Sequence, residues 1–329
     1  MKISLLAQKP LADSLFDSEC MEKLLQLGEV TQNEDLKAPN KEQVKELIKE
    51  ADIAITSWGT PSLDKDILDT APNLKLIIHA AGSVKPIMSD QIFPRGIRVV
   101  SCANAIGIGV AETALGLTII SVKNVKELDT DIHNGEWAKN KMKTKEMYGI
   151  NIGVVGAGWV GRHFIKLLKN FHVNILLYDP FVSEEQAKEL GVKKVELDEL
   201  MRSSEVVSLH APSLPATNKM INRSNLKLMK DGATLINTAR GSLIDEEALY
   251  EECKTGRIKA CLDVTDPEPP AVDHPFRTLP NIIMTPHIAG AVTNGRFRIG
   301  LYTVQAIESF INKEPILGEV KEEQLATIA

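Results

Sequence analysis

A chain of 329 residues holds about two domains at roughly 100 to 200 residues each, and each is long enough to bury its own core. Its 43% hydrophobic and 25% charged residues match ordinary globular composition and exclude whole-chain disorder. A net charge of -6 with a pI near 5.7 argues against a general nucleic-acid binder, which needs a basic face to release phosphate counterions, and leaves small-molecule chemistry as the expectation.

The start of the chain, whose apolar run stops at Ala7 ahead of Asp13 and Asp17, reads as a first strand and not as a signal peptide. From there, short runs of branched apolar residues alternate with longer stretches of helical period, the pattern of a parallel sheet with crossover helices. Strands are predicted at Ile3–Ala7, Ile53–Trp58, Leu74–Ala80 and Arg98–Ala103. Helices are predicted at Phe16–Leu27, Lys41–Ala51 and Leu63–Thr70, the last opening behind Pro61-Ser62. Residues 1 to about 100 thus form one small α/β domain.

A long apolar helix follows from about Val110 to Val125, and no stretch is expected to span a membrane because Ala111–Val122 contains Glu112, Thr113, Thr118 and Ser121. The segment Asp129–Tyr148, with Lys139, Lys141, Lys143 and Lys145, reads as a solvated surface without chemistry. Strands resume at Asn151–Val155, Asn174–Tyr178, Val206–His210, Ala233–Thr238, Ala260–Val264 and Ile282–Thr285, making a second α/β domain. A last helix, Gly300–Asn312, and the Val110 helix are expected to cross between the domains as a hinge. The four cysteines, Cys20, Cys102, Cys253 and Cys261, lack CxxC spacing and a histidine cluster, so no metal site is expected and the usage is that of a reducing cytoplasm.

Gly156-Ala-Gly158-Trp159-Val160-Gly161 is a GxGxxG whose context gives it meaning. It follows an apolar strand and opens a helix expected over Arg162–Asn170, and the next strand ends in Asp179. The first glycine permits a tight turn, and the second lets the N–H groups of Trp159 and Val160 approach a pyrophosphate at the helix start. Gly161 lets helix and strand pack closely. A carboxylate at position 179 would accept from both ribose hydroxyls of NAD and repel the extra phosphate of NADP, so NAD is the expected cofactor.

Ligands of open α/β sheets bind beyond the carboxyl ends of the strands. There stand Asp179, His210, Thr238 with Arg240, Asp263 with Glu268, and Thr285 with His287. Of the seven histidines, only His79, His210 and His287 lie at such ends; His133, His163, His172 and His274 read as helix or surface residues.

Asn237-Thr-Ala-Arg240-Gly-Ser-Leu-Ile-Asp245-Glu-Glu-Ala-Leu249, Cys261-Leu-Asp-Val264 with Pro267-Glu268-Pro269, and Thr285-Pro-His287-Ile-Ala-Gly290 resemble successive signatures of the D-isomer-specific 2-hydroxyacid dehydrogenases, a group that includes phosphoglycerate dehydrogenases and glyoxylate and hydroxypyruvate reductases. Gly135-Glu-Trp137, the GxGxxG and Leu209-His-Ala-Pro212 extend the resemblance over nearly the whole chain. It implies an α/β fold of two Rossmann-like doubly wound parallel-sheet domains with a cleft between them. Residues 1–103 plus 296–329 would be a discontinuous, flavodoxin-like substrate domain, and 104–295 an inserted NAD-binding domain. It further implies a homodimer formed through the NAD domains.

For the site, the resemblance implies His287 as acid/base, Glu268 as its carboxylate partner and Arg240 as holder of the substrate carboxylate. The residue types suit reduction of a 2-oxo acid, which needs a hydride, a proton and a cation beside the reacting carbon. The sequence by itself leaves Asp266 and Asp245 open as partners of His287. His210 is either near the cofactor or a satisfied loop histidine. Asp263 matches the family residue at the nicotinamide amide, and Thr238, Ala239 and Arg240 with His287 to Gly290 line the same edge.

The first domain departs from the pattern. The family's Gly-x-Gly-Val-Asp-Asn-Ile-Asp is here Ala81-Gly82-Ser83-Val84-Lys85-Pro86-Ile87-Met88, keeping the backbone of Gly82, Ser83 and Val84 for a substrate carboxylate but replacing the Asp-Asn pair. Trp58 and Lys85 either read the substrate or merely pack and solvate. Two other functions remain open: a non-catalytic NADH-sensing binding protein, and a formate or phosphite dehydrogenase of the same fold, against whose formate form Glu268 argues because glutamine is usual there.

Overall fold

The structure, a computed structural model, describes residues 1–328 and divides them into two compact units, 1–106 with 291–328, and 107–290. Both divides differ by three to five residues from the expected 103 and 296. In the first unit β1 (Lys2–Leu5), α1 (Lys9–Leu15), α2 (Ser18–Leu27), β2 (Glu29–Gln32), α3 (Lys41–Ile48), β3 (Ile53–Thr56), α4 (Lys65–Leu68), β4 (Leu76–His79) and β5 (Arg98–Ser101) follow one another. The helix expected from Phe16 begins at Ser18: Phe16 closes α1, a separate helix not expected from the sequence, and Asp17 caps α2 by accepting the Cys20 N–H at 2.8 Å. Asp64, and not Pro61-Ser62, caps α4.

The second unit takes up α5 (Ala103–Val122), α6 (Val125–His133), β6 (Tyr148–Val155), α7 (Trp159–Leu168), β7 (His172–Tyr178), α8 (Glu184–Glu189), β8 (Lys193–Lys194), α9 (Leu197–Ser203), β9 (Val206–Leu209), α10 (Arg223–Leu226), β10 (Thr234–Asn237), α11 (Glu246–Lys254), β11 (Lys259–Leu262) and β12 (Ile282–Met284). The divide falls inside α5, whose first residues belong to the first unit. That unit then resumes with α12 (Phe297–Ile311) and β13 (Glu319–Val320).

Length and composition alone would let α5 cross a membrane, contrary to the expectation that no stretch qualifies. Its Ala111, Ala114, Leu117 and Val122 instead pack with Phe164, Ile165 and Val154 in the core of the second unit. The polar segment after it is not wholly solvated either, because Asp131 and Asn140 are buried and joined by a 2.8 Å hydrogen bond.

Among the described residues the first unit's sheet runs β13-β5-β4-β3-β1-β2, parallel except for β13. Without β13 this is the flavodoxin-like order. The second sheet runs β12-β11-β10-β9-β6-β7-β8, parallel throughout. Its chain order reverses between β6 and β9, the switch point at which dinucleotide-binding sheets open a crevice. Central strands β9 and β10 are wholly buried, as sheets covered by helices on both faces require.

Candidate active site

Register places the candidate residues in one row. Val155 pairs with Tyr178 and Leu209, Leu209 with Asn237, Asn237 with Leu262, and Leu262 with Met284. The next residue on each strand is Asp179, Gly156, His210, Thr238, Asp263 or Thr285 in neighbouring positions, about 4.8 Å from strand to strand. The strand ends noted in the sequence therefore share one edge of one sheet.

At the switch point, Gly156 turns the chain with φ +94°, and a Cβ on Gly161 would lie 2.0 Å from the Gly156 carbonyl oxygen. Only glycine permits that approach of α7 to β6. The helix begins at Trp159, three residues before the expected Arg162, with Gly158 as its cap and no capping side chain. The N–H groups of Trp159 and Val160 meet no protein acceptor among the described residues, which leaves the positive end of the helix for an anion. Asp179 accepts the Ala157 N–H on Oδ2 at 2.7 Å and the Phe181 N–H on Oδ1 at 2.8 Å, so its carboxylate is locked beside the glycine loop with lone pairs to spare.

At the other end of the row, both oxygens of Glu268 accept from the Nδ1–H of His287, at 2.9 and 3.0 Å. This arrangement leaves Nε2 as the ring atom that gives or takes a proton. His287 sits at φ +51°, an uncommon region for a side-chain-bearing residue. Its loop is held there by Asp263, which is 1% exposed. Oδ1 accepts from the Thr285 hydroxyl at 2.5 Å and the Ile288 N–H at 2.9 Å, and Oδ2 accepts from the Ala289 N–H at 2.8 Å. The Asp263 carbonyl takes the His287 N–H as well. The resemblance puts Asp263 at the nicotinamide; in the structure its carboxylate is occupied in building the His287 loop.

Between these ends, Arg240 is exposed, and its guanidinium donates to the carbonyl of Ala239 at 2.6 Å. No carboxylate among the described residues pairs with it, so its charge is available to an anionic ligand. Asn237 shapes that turn by accepting the Ala239 N–H and donating to the Arg240 carbonyl.

Residues 115–289 match the family model of the D-isomer specific 2-hydroxyacid dehydrogenase, NAD binding domain. The D-3-phosphoglycerate dehydrogenase of Methanocaldococcus jannaschii is 36% identical over 88% of this chain and 55% of its own length. The hydroxypyruvate reductase of Thermotoga maritima is 34% identical over 81% of this chain and 87% of its own. The chain belongs to the D-isomer-specific 2-hydroxyacid dehydrogenase family. It spans about half the length of the phosphoglycerate dehydrogenases from M. jannaschii and Archaeoglobus fulgidus. The fold is shared over 98% of this chain and 100% of the other with an acyclic imino acid reductase solved in complex with NADPH and D-Arg, at 27% identity and a TM-score of 0.77.

The family's NAD-binding domain implies a nicotinamide dinucleotide, and the residues present fit one. Beside the uncapped helix and locked Asp179, Gly158 has an open side, where an added Cβ would meet no atom within 4 Å. The buried Thr238 hydroxyl and His210 Nδ1 have no partner among the described residues, a cost that a polar ligand at the strand ends would remove. His210 is otherwise a core residue: Nε2 meets Ser208 at 3.0 Å, the ring lies 5.0 Å from Phe164, and burial pushes its pKa down to about 3. It is neutral at working pH and unsuited to carry a proton.

In the first unit, the hydroxyls of Ser57 and Ser101 donate to the carbonyls of Ala80 and Gly82 at 3.0 and 2.7 Å. His79, buried at the end of β4, bonds Thr56 at 2.9 Å and the Ser83 backbone, and burial pushes its pKa down to about 4. These contacts turn the loop's carbonyls inward, while the N–H groups of Gly82, Ser83 and Val84 meet no protein acceptor among the described residues. Lys85 follows without a carboxylate partner among them, its pKa lowered by partial burial, and Trp58 is 42% exposed.

Two contributors escape sequence reasoning. Asp263 reads there as a ligand contact and not as the anchor of the His287 loop. His274, which reads as a helix or surface residue, is half-buried and bonded to Glu246 at 3.3 Å. The signal for that second contact is weak, since nothing in the spacing joins positions 246 and 274.

Proposed function

We propose that this protein is an NAD(H)-dependent oxidoreductase of a small D-2-hydroxy acid and its 2-oxo acid. The observation that carries the reading is the His287–Glu268 pair, with an unpaired Arg240 at a nearby end of the same sheet edge. NAD(H), when bound, supplies or accepts the hydride. Arg240 holds the substrate carboxylate with its planar fork. In reduction, His287 Nε2–H gives its proton to the carbonyl oxygen as the alkoxide forms; in oxidation, the same nitrogen takes the hydroxyl proton. Glu268 fixes the tautomer and stabilises the imidazolium without taking the proton itself. Gly82, Ser83 and Val84 offer N–H groups to the substrate carboxylate, and Trp58 and Lys85 select among acids.

Asp179 supports NAD over NADP, because a 2′-phosphate would meet its carboxylate at like charge. A homodimer through the second unit, as the resemblance implies, belongs to the same reading, and Ile132, Trp137, Met142 and Tyr148, exposed on that unit, are candidates for its interface. Four buried free cysteines accord with a cytoplasmic setting. The test is NADH oxidation across a panel of 2-oxo acids by the wild type and by His287→Gln. Turnover of at least one acid, reduced on the order of 10² to 10⁴ in the variant with NADH binding retained, is expected. No turnover of any acid by the wild type would overturn the reading.

A further inference from the structure

Glu268 is exposed, and among the described residues its one side-chain partner is the His287 ring. Its position must therefore be inherited from the backbone that leads to it, residues 265–268, which lies beyond the end of β11. Thr265 Oγ1 donates to the Pro267 carbonyl at 3.0 Å, which shapes the run from within. From outside, the Asp266 N–H donates to Glu246 Oε1 at 3.0 Å. Gly241, next to Arg240, packs so tightly under the same run that an added Cβ would lie 2.1 Å from the Thr265 carbonyl carbon.

Glu246 is the first residue of α11, and its side chain is 18% exposed. Its second oxygen lies 3.3 Å from Nε2 of His274. The Phe276 N–H donates to the other ring nitrogen of His274, Nδ1, at 3.4 Å. Nδ1 is thus the bare nitrogen, and Nε2 carries the hydrogen that Glu246 accepts. His274 in turn lies 4.8 Å, ring to ring, from Phe276, which is 1% exposed in the main core of this unit. A chain of contacts runs from that core through His274 and Glu246 to the Asp266 N–H, two residues before Glu268.

We propose that Glu246 and His274 are positioning residues, a half-buried brace that sets the backbone of 265–268 and so holds the Glu268 carboxylate against His287 Nδ1. Neither touches the reacting atoms. The inference rests on the reading of His287 and Glu268 as the acid/base pair. One carboxylate with one oxygen on the loop and the other on a core-anchored ring fixes direction as well as distance, which a single bond cannot do. Because Gly241 contacts the same run, the brace also keeps the Arg240 turn and the Glu268 loop in one register.

The test uses the full chain, NADH and the best 2-oxo acid of the panel, with Glu246→Ala, Glu246→Gln and His274→Ala measured beside Glu268→Gln and His287→Gln. Glu246→Ala should lower kcat about tenfold or more and leave the NADH dissociation constant within about twofold. Its pH–rate profile should move toward that of Glu268→Gln. Glu246→Gln keeps an oxygen for the Asp266 N–H and should restore most of the loss. Glu246→Ala combined with Glu268→Gln should cost little more than Glu268→Gln alone, since both remove one function.

A wild-type pH profile in Glu246→Ala, or a loss fully additive with Glu268→Gln, would overturn the brace. Should Glu246→Ala fail to fold, His274→Ala decides by the same two readouts, with a smaller effect in the same direction expected. Unchanged turnover in His287→Gln would instead overturn the underlying acid/base reading, so the two failures are separable.

Discussion

Both Glu268 oxygens converge on one imidazole nitrogen, so removing their charge acts directly on the form of the ring that is favoured. Glu268→Gln withdraws the negative charge that favours imidazolium, and the profile must move in a defined direction. Reduction needs the protonated ring and slows as pH rises; in the variant that fall should come at lower pH. Oxidation needs the neutral ring, and its rise should also come at lower pH. Initial rates in both directions across a pH series check this, and coincident wild-type and variant profiles would break the pair. Asp179→Ser should weaken NADH and improve NADPH, narrowing their ratio of kcat/KM. Lys85→Ala should raise KM selectively for dianionic acids, because an unpaired ammonium rewards a second anionic group, whereas Trp58→Ala should reorder acids by bulk. A uniform loss across the panel would remove both from specificity. At this scale the sequence alone is ambiguous for a physical reason. Asp245, Asp266 and Glu268 are all carboxylates near the right strand ends, and spacing does not say which is already in use. The structure separates them: Asp245 caps α11 by accepting the Ala248 N–H, and Glu268 is the one that meets His287.

The His287 loop shows how an element can be built from one side chain. Asp263 ends its strand buried, and three donors from residues 285–289 converge on its two oxygens. Asp263→Ala would leave those donors unsatisfied and release a left-handed residue, at a cost on the order of 2 to 5 kcal/mol. The expected outcome is a lower unfolding midpoint and a larger fall in kcat than in affinity for NADH. A variant that keeps both midpoint and kcat would show that the loop holds itself. Strands of both sheets are legible in the sequence where burial dictates composition, as in Thr-Leu-Ile-Asn of β10. They are not legible where a strand is short and at an edge. Glu29–Gln32, Lys193–Lys194 and Glu319–Val320 carry no apolar run. β13 is held by contacts distant in sequence: antiparallel pairing with β5, buried Val320, and the Arg98 fork on Glu319 at 2.5 and 2.8 Å.

Across the molecule, each unit keeps one neutral histidine at a strand end, His79 in the first and His210 in the second, and this gives the whole chain an acid limit. Burial pushes them down to about 4 and about 3 from an ordinary value of 6.5. A depressed histidine favours its neutral form in the folded state, so the unfolded chain binds more protons between the two values. Stability is then complete above about pH 6.5 and declines as pH falls, with a slope near 1.4 kcal/mol per pH unit for each group. By pH 5 each unit should have lost about 2 kcal/mol from this source alone, before the salt-bridged carboxylates, whose values are lowered, begin to protonate. Urea midpoints measured between pH 7 and pH 5 should fall in wild type. His79→Gln and His210→Gln start from lower stability, since each truncates a buried ring. The slope with pH is the readout, and it should flatten in each variant, with the two effects adding because the groups occupy separate cores. A midpoint independent of pH over that window in the wild type would mean that neither histidine is held neutral, and with it that the loop on Ser83 and the ring at Phe164 are open to water in solution.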